Sequence, residues 1–411
     1  MRKPQVIMAV GAGIFIGTYD MGALSVVLPD IVKQWHIATA AITMLGTSTF
    51  IGMIIGSLIS GLLADKWGRR IILLLDFVAY GIAAMMSAFS PNFLWLAAMR
   101  VVVGIGVGAD FAVAFPYLVE YAGQLRGRVM AWAMWAANFG MLIAYGVGAL
   151  ALRYPGGWRV PLFVGALLVV PVLWVRHKIP ESAAWRAHHA ASWSDIKNIV
   201  HHAQYRKSVL LSSVTWLSYQ VSDQGLTLFL PLMLVTVFGT TASGAAWHSV
   251  LVKAITIPAA LVTVALIDRW GRRPLQIWGF LGRALGLIGL GTLLICEPGP
   301  LRQYPLWQYS AWLLLVIAYG FGALGPDKTT VITAAEQIPT QWRATAQAIA
   351  EASGRIGGII GIVGYSLLTP WWGPGSGLLF FGAMALVGTI ISQRTLPETK
   401  NLVLASASES S

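Results

Sequence analysis

Ionisable residues stand inside long apolar stretches of this chain. An ionisable side chain near the centre of a bilayer costs at least about 2.5–3.5 kcal/mol, so each one needs a function or a partner. Such groups can carry protons, bind ions of opposite charge or pair with one another. The residues with this character are Asp20, Arg100, Asp110, Asp223, Lys253, Arg283, Asp327, Lys328, Glu351 and Arg355.

Asp20 and Arg100 are predicted to lie at similar depth. Asp20 precedes the end of its apolar stretch by about 11 residues, or roughly 16 Å of helix. Arg100 follows the start of its own stretch by about 7–9 residues, or roughly 10–14 Å. If the two helices are antiparallel, the two charges can pair, and protonation of Asp20 would break the pair. The pattern therefore predicts a proton-dependent switch, with a permanent structural ion pair as the alternative.

Asp110 lies deeper in the same stretch as Arg100. It follows Gly104, Gly106 and Gly108, whose spacing favours close packing between membrane helices. Three roles are open for Asp110: a second proton site, a contact to a substrate, or a structural hydrogen bond.

Arg355 is expected near the middle of another apolar stretch. A guanidinium facing a cavity there could hold a carboxylate or phosphate with two hydrogen bonds. Glu351 lies one helical turn away and could instead neutralise it. Asp327 and Lys328, in the preceding stretch, have the same two interpretations.

Amides and aromatic rings accompany these charges. Gln220 and Gln224 share one helical face beside Trp216 and Asp223, and Trp135 lies close to Asn138. Aromatic residues at helical spacing also serve ordinary packing. The candidate substrate-binding set is Arg355, Gln220, Gln224, Asp223, Trp216, Trp135, Asn138, Asp327, Lys328 and Glu351.

The elements that must position these residues are membrane helices. Hydrophobic residues make up 57% of the chain and charged residues only 11%, whereas soluble domains carry about 25% charged residues. A spanning helix needs about 20 mainly apolar residues. This rule predicts spans at 5–31, 40–64, 70–89, 93–120, 127–152, 158–176, 206–237, 243–267, 273–296, 307–337, 342–369 and 375–394.

The basic residues indicate the orientation. The net charge is +12, and most Lys and Arg residues, including Arg176, fall in segments assigned to one face. By the positive-inside rule that face is cytoplasmic and carries both termini of a multi-pass protein of the cell membrane. The charge therefore reflects topology and contact with membrane lipids, and no nucleic-acid partner is expected. Cys296 is the only cysteine, so an intrachain disulfide is excluded.

The chain carries an internal duplication. DKWGRR at 65–70 returns as DRWGRR at 268–273, and PES at 180–182 returns as PET at 397–399. Parallel repeats of this kind build one large class of secondary transporters. The predicted organisation is an all-α membrane protein of twelve helices in two six-helix bundles, 1–176 and 206–400. A linker with amphipathic helices, 177–205, joins them, and a disordered tail, 401–411, follows.

The repeated loops contain acids and arginines that can meet. Arg69 and Arg70 are expected near Glu120 and Glu181 at neighbouring helix ends. Single surface ion pairs contribute only about 0–1 kcal/mol, so a network suits a latch that opens in every cycle, although plain anchoring is the alternative. The predicted gate comprises Asp65, Arg69, Arg70, Glu120, Arg126, Glu181, Asp268, Arg272, Arg273, Glu336, Arg343 and Glu398.

These motifs together resemble the major facilitator superfamily over the whole chain. The run from Arg100 to Phe111 is similar to the branch of phosphate and metabolite symporters, as are GPDKTT at 325–330 and RATAQAIAEASGRIGG at 343–358. The resemblance implies alternating access and proton coupling through Asp20 and Arg100. Phosphate transporters usually carry Lys where Arg355 stands, whereas aromatic-acid symporters carry Arg.

The sequence thus favours proton-coupled symport of a small organic acid or related anion. Its partners would be that small molecule and protons, acting on a monomer, with no cofactor, no metal and no enzymatic activity. A sugar transporter and an inorganic phosphate:proton symporter of the same fold are alternatives. A membrane receptor or sensor that transports nothing is the alternative of another class.

Overall fold

The computed structural model describes residues 3–122, 126–182, 203–296, 305–330 and 343–396. Within these ranges the chain is helical, without β-strands. The helices of the first half, each ending close to its predicted span, are α1 Lys3–Trp35, α2 Thr39–Trp67, α3 Arg69–Ala88, α4 Phe93–Ala122, α5 Arg126–Ala151 and α6 Arg159–Arg176.

The second half repeats the pattern with one broken and one fused helix. Its helices are α7 Ala203–Phe238, α8 Ala242–Ala254, α9 Thr256–Trp270, α10 Arg272–Cys296, α11 Pro305–Leu324 and α12 Arg343–Thr395.

The helix α12 accounts for two membrane crossings. Its 53 residues correspond to about 80 Å of helix, against a hydrocarbon core of about 30 Å. Gly373, at φ 73°, bends the chain between Pro370 and Pro374, at the place where the sequence predicts a boundary between two spans. Eleven described segments are long and apolar enough to cross a membrane, and division of α12 at Gly373 yields twelve crossings in two six-helix bundles, as predicted.

The helices α8 and α9 form a single crossing that is interrupted at Ile255. Pro258 explains the interruption, since its ring cannot pack against the carbonyl of Ala254 and it has no N–H to donate. The break lies beside Lys253, in the last turn of α8.

Glycines let the helices of each half approach closely. A Cβ on Gly104 would lie 2.1 Å from the carbonyl oxygen of Thr49, and one on Gly108 would lie 2.2 Å from that of Met53. The close packing expected of the glycines in α4 is therefore present, directed at α2. In the second half, a Cβ on Gly361 would lie 2.3 Å from the carbonyl oxygen of Val221, where α12 packs on α7.

The two halves meet along α1, α2, α4 and α5 on one side and α7, α8, α9 and α12 on the other. The face bearing the turns at Gly68 and Gly271 is called the basic face below. Both glycines have positive φ, 101° and 93°, which the tight turn requires.

Candidate functional site

Asp20 and Arg100 form a closed pair inside the first half. The Nη1 of Arg100 donates to Oδ1 of Asp20 at 3.1 Å, and Nη2 donates to Oδ2. The Nε of Arg100 donates to Thr49 Oγ1 at 3.3 Å. Both charged side chains are fully buried. Asp20 and Arg100, predicted from the sequence to lie at similar depth, therefore do meet, in the bidentate arrangement that suits Arg and carboxylate.

Asp110 pairs with Arg176, the last residue of α6. Arg176 was assigned to the basic face with the loop residues, but its guanidinium is buried, 2.6 Å from Asp110 Oδ1 and 3.9 Å from Asp76 Oδ1. It also donates to the carbonyl oxygens of Ala9, Val10 and Leu73. The position of Arg176 at the end of α6 had suggested a charge in the loop. The sequence signal for a buried cation was the pair of acids Asp76 in α3 and Asp110 in α4, which, among the described residues, have no other cation as a partner.

Gly13 makes room for this guanidinium. A Cβ at that position would lie 1.7 Å from Nη2 of Arg176 and 2.7 Å from Oδ2 of Asp110. A side chain at position 13 would displace the pair of Arg176 and Asp110. The glycine of α1 therefore leaves the space that the guanidinium occupies.

A polar cavity of about 70 Å³ lies between the two halves. Helices α1, α4 and α5 form one wall, and α7 to α12 form the others. Its lining residues are Thr18, Met21, Phe111, Met134, Ala137, Asn138, Met141, Trp216, Tyr219, Gln220, Asp223, Gln224, Lys253, Thr256, Arg283, Tyr319, Ala323, Asp327 and Arg355.

Most of the predicted substrate-binding residues reach this cavity. Trp135 does not, because its ring packs edge-on between Trp132 and Phe139. Lys328 and Glu351 do not either, and each lies behind a cavity residue to which it is bound. The predicted residues that line it are Arg355, Gln220, Gln224, Asp223, Trp216, Asn138 and Asp327.

Cavity charges in the second half are held in short ion pairs. Arg355 Nη2 lies 3.0 Å from Glu351 Oε2, in the i, i+4 pairing that the sequence had offered as the alternative to anion binding. Lys328 Nζ lies 2.7 Å from Asp327 Oδ2.

Arg283 was recognised in the sequence as a membrane charge, although it was not assigned to the site. Its Nη2 lies 3.0 Å from Asp223 Oδ1. Its Nε donates to Ser222 Oγ at 2.7 Å and its Nη2 to the Ser222 carbonyl at 3.0 Å.

Aromatic rings and amides complete the walls. Trp216 and Tyr219 stack with ring centroids 5.7 Å apart, and Arg355 lies over the ring of Phe111 at 5.0 Å. Gln224 Nε2 donates to Gln220 Oε1 at 3.3 Å. Tyr219, Tyr319 and Lys253 line the cavity without having been assigned to it from the sequence.

The first repeated loop forms a network on the basic face. Arg69 pairs with Glu120 and lies 3.6 Å from Asp65. Glu181 accepts the backbone N–H groups of Arg69 and Arg70, each at 3.1 Å, where the positive end of the α3 dipole favours a carboxylate. The Arg70 guanidinium donates to the carbonyl of His177 at 2.8 Å.

Asp65 connects this network to the other half. Its Oδ2 accepts the backbone N–H of Thr345 at 3.0 Å and the Thr345 hydroxyl at 2.6 Å. This carboxylate of α2 therefore stabilises the beginning of α12, and it ties the halves together on the basic face.

The second repeated loop is described in part. Arg272 Nη1 donates to the carbonyl of Ile267 at 3.1 Å, and Arg273 Nη2 donates to that of Gln393 at 2.6 Å. The other gate predictions, Glu336, Glu398 and the side chains of Arg126, Asp268 and Arg343, lie outside the described residues.

Hydrogen bonds also join the halves on the opposite face. Ser25 Oγ donates to the carbonyl oxygens of Thr227 at 2.6 Å and Leu228 at 3.2 Å. Ser243 Oγ donates to the carbonyl of Ala149 at 2.8 Å. The central cavity is thus closed by contacts between the halves both above and below it.

Known proteins share this sequence pattern and this fold. The family model described as Major Facilitator Superfamily matches residues 10–335 and 221–409. The niacin transporter NiaP of Acinetobacter baylyi is 25% identical over 388 residues, which cover 86% of this chain and 84% of that protein. The galactose-proton symporter of Escherichia coli is 25% identical over 436 residues, covering 97% and 91%.

A solved structure of the proton:xylose symporter XylE, bound to 6-bromo-6-deoxy-D-glucose, superimposes with a TM-score of 0.80 at 20% identity. The match covers 98% of this chain and 97% of that one. At this identity the likeness concerns the fold. With the family model matching nearly the whole chain, this protein belongs to the Major Facilitator Superfamily and is a multi-pass membrane transporter, not an enzyme.

Proposed function

We propose that this protein is a proton-coupled symporter of a small organic anion in the cell membrane, with both termini cytoplasmic. The observation that carries the proposal is the charge of the central cavity, whose lining, in the described part of the chain, has three cations, Lys253, Arg283 and Arg355, and two acids, Asp223 and Asp327. Carboxylates bind such groups through charge-assisted hydrogen bonds. Gln220 and Asn138 add amides that can orient a polar substituent.

The proton-carrying group in this proposal is Asp20. A second cavity of about 20 Å³ has Arg100 in its wall, and Met21 and Gln224 line both this cavity and the central one. Protonation of Asp20 removes the charge that holds Arg100. Because the freed guanidinium adjoins a wall of the substrate cavity, protonation can alter substrate affinity and closure of the halves together. Asp110, enclosed with Arg176, is the second candidate proton site.

The proposed transport cycle opens the two closures in turn. The bundles 1–176 and 206–400 would rock about the cavity, joined through the linker 177–205. Asp65 with Thr345 closes the basic face, and Ser25 with Thr227 closes the opposite face. Each closure consists of a few hydrogen bonds, whose individual contributions of about 0.5–3 kcal/mol suit contacts that must break in every cycle.

The relatives support a proton-coupled process and differ in substrate class, and a further relative, from Saccharomyces cerevisiae, is named for inorganic phosphate. Niacin, which one relative is named for, is an aromatic carboxylic acid. Galactose, which another is named for, is a neutral sugar. The amides of Gln220 and Gln224 favour the sugar as second candidate, because neutral hydroxyls bind well to side-chain amides. The cations of the cavity favour the acid.

Accumulation in liposomes tests the proposal. Purified protein is reconstituted, an acid-outside pH gradient is imposed, and labelled nicotinate, benzoate, phosphate and galactose are offered separately. We expect accumulation of a carboxylate by about tenfold for each pH unit if one proton accompanies each anion. Asp20→Asn is expected to abolish accumulation while exchange of labelled for unlabelled substrate continues, because exchange needs no net proton movement.

Two controls isolate the protein's contribution. Protein-free liposomes measure the passive entry of protonated acid, which the same gradient also drives. Asp30→Asn makes the same chemical change farther along α1, at a residue that is only partly buried. Accumulation that persists in Asp20→Asn would refute the coupling role, and accumulation of galactose alone would refute the anion substrate.

A further inference from the structure

Among the residues that the structure describes, the cavity has one cation more than its acids can neutralise. Asp223 is paired with Arg283 at 3.0 Å, and Asp327 is paired with Lys328 at 2.7 Å. Arg355 is paired with Glu351 at 3.0 Å. Each of these pairs sums to zero charge.

Lys253 is the remaining cation. Within the part of the chain that the structure describes, its ammonium has no carboxylate at ion-pair distance. Its Nζ donates to Thr227 Oγ1 at 3.2 Å and lies 4.4 Å from the ring centroid of Tyr319. A hydroxyl oxygen and a ring face are weak substitutes for a counter-ion, since neither carries a net charge.

Lys253, in the last turn of α8, lies on the cavity wall. Lys253 is buried, with 6% of its surface exposed, and the small accessible part faces the cavity. An unpaired charge buried at membrane depth is costly unless an anion joins it. The cavity therefore has the electrostatic character of a site for one negative charge.

We infer that Lys253 binds the anionic group of the substrate and that the cavity selects monoanions, above all planar aromatic carboxylates. The inference rests on the proposed function and refines it. Arg355, which the sequence analysis assigned to this role, already has Glu351 as its partner. Arg355 serves instead as a positioning residue, because its guanidinium lies over the ring of Phe111 in the cavity wall. The stacked rings of Trp216 and Tyr219 are available to the planar ring of the substrate.

The charge of the substrate provides the test. Exchange in proteoliposomes is measured with labelled nicotinate, benzoate and 4-hydroxybenzoate, each in competition with its unlabelled acid and its neutral amide. For the wild-type protein we expect competition by the acids and not by the amides. In Lys253→Met the KM for the acids should rise by about 10- to 100-fold, the value of a charge-assisted hydrogen bond, and discrimination against the amides should narrow.

Companion variants separate binding from structure. Lys253→Arg keeps the positive charge and should therefore retain the preference for acids over amides. If Lys253 had a purely structural role, this preference would not depend on the charge at position 253. Lys33→Met removes a charge from an exposed position near the end of α1 and should change nothing. The melting temperature of each variant, measured in detergent, shows whether it folds.

The outcomes distinguish the two proposals. If the wild-type protein accumulates an aromatic acid and Lys253→Met keeps the same preference and KM, this inference is wrong and the proposed function stands. If the wild-type protein accumulates galactose and none of the acids, both are wrong. Loss of acid preference in Lys253→Met with retention in Lys253→Arg supports the inference.

Discussion

The two halves of this transporter hold their buried charges in different places. In the first half, Asp20 is paired with Arg100 and Asp110 with Arg176, and none of these residues lines the central cavity, although Arg100 borders the smaller second cavity. In the second half, as far as the structure describes it, five charged residues line the cavity: Asp223, Lys253, Arg283, Asp327 and Arg355. The side chain of Asp110 is 2% exposed, whereas that of Asp223 is 15% exposed.

From this difference we propose a division of labour between the two halves. A charge pair outside the substrate cavity can respond to protons without contacting the substrate. A charge at the cavity wall can exchange its partner for an anion. In this proposal the repeated loops of the basic face are alike in the two halves, whereas the buried charges of the first half serve coupling and those of the second half serve recognition.

The largest expected contrast is between Arg176→Met and Arg283→Met. Arg176→Met leaves Asp110 and Asp76 enclosed without a cation, and we expect a loss of about 3–5 kcal/mol in stability, as for one-sided removal of a buried ion pair. Arg283→Met leaves Asp223 next to the cavity, where water can reach it, so a smaller loss of about 1–3 kcal/mol is expected together with impaired transport.

Thermal unfolding in detergent compares the two variants directly, and exchange in proteoliposomes measures transport. Asp76→Asn provides a control within the same cluster, because it removes the excess negative charge and leaves the closer Asp110–Arg176 pair intact. Equal falls in melting temperature for the two arginine variants would contradict the division between enclosed and cavity-facing charges.

An intermediate effect is expected for Asp65→Asn, which weakens the closure of the basic face. Its carboxylate accepts two hydrogen bonds from Thr345, and loss of the charge should shift the equilibrium toward opening on that face by about 10- to 100-fold. With Cys296→Ser removing the native thiol, Asn138→Cys reports from the cavity. Its labelling by an impermeant maleimide, applied from the basic face, should accelerate.

A double-mutant cycle checks the origin of this effect. If the bond between Asp65 and Thr345 is responsible, Thr345→Ala should accelerate labelling as well, and the double variant should add less than the sum of the two. Strict additivity would assign the effect of Asp65→Asn to its contact with Arg69 and leave the closure of the basic face to other groups.

Pairs set by depth or by local spacing were predictable from the sequence. The pairing of Asp20 with Arg100 follows from their similar depth in antiparallel spans. The pairing of Glu351 with Arg355 follows from their separation by one helical turn. The twelve spans were predictable too, because apolar length alone defines them. Within the described residues, two features depart from the predicted pattern: the fusion of the last two spans into α12, bent at Gly373, and the interruption of the span 243–267 at Ile255.

The positions of Arg176 and Lys253 depend on tertiary packing. A charge at the end of α6 follows the positive-inside pattern. The two acids of α3 and α4 indicate a missing cation without identifying Arg176, whose inward-turned side chain occupies the gap left by Gly13. Lys253 reaches the cavity because α8 packs against α5 and α7 beside it. Neither the gap at Gly13 nor this packing is encoded in the local spacing of charges.

The smallest effect is expected for Ser25→Ala, on the face opposite the basic face. The Ser25 hydroxyl is a neutral donor, so its loss should favour opening there by only about 2- to 10-fold, corresponding to about 0.5–1.5 kcal/mol. Labelling of Asn138→Cys from that face measures the shift, with Ser243→Ala as the matched change at the second contact between the halves.

Thr227 connects this closure to Lys253. Its carbonyl accepts a hydrogen bond from Ser25, and its hydroxyl accepts one from Lys253. A substrate that draws Lys253 away therefore acts on the residue that closes this face. If anion binding and Ser25→Ala alter labelling independently, recognition in the second half and closure against the first are separate events.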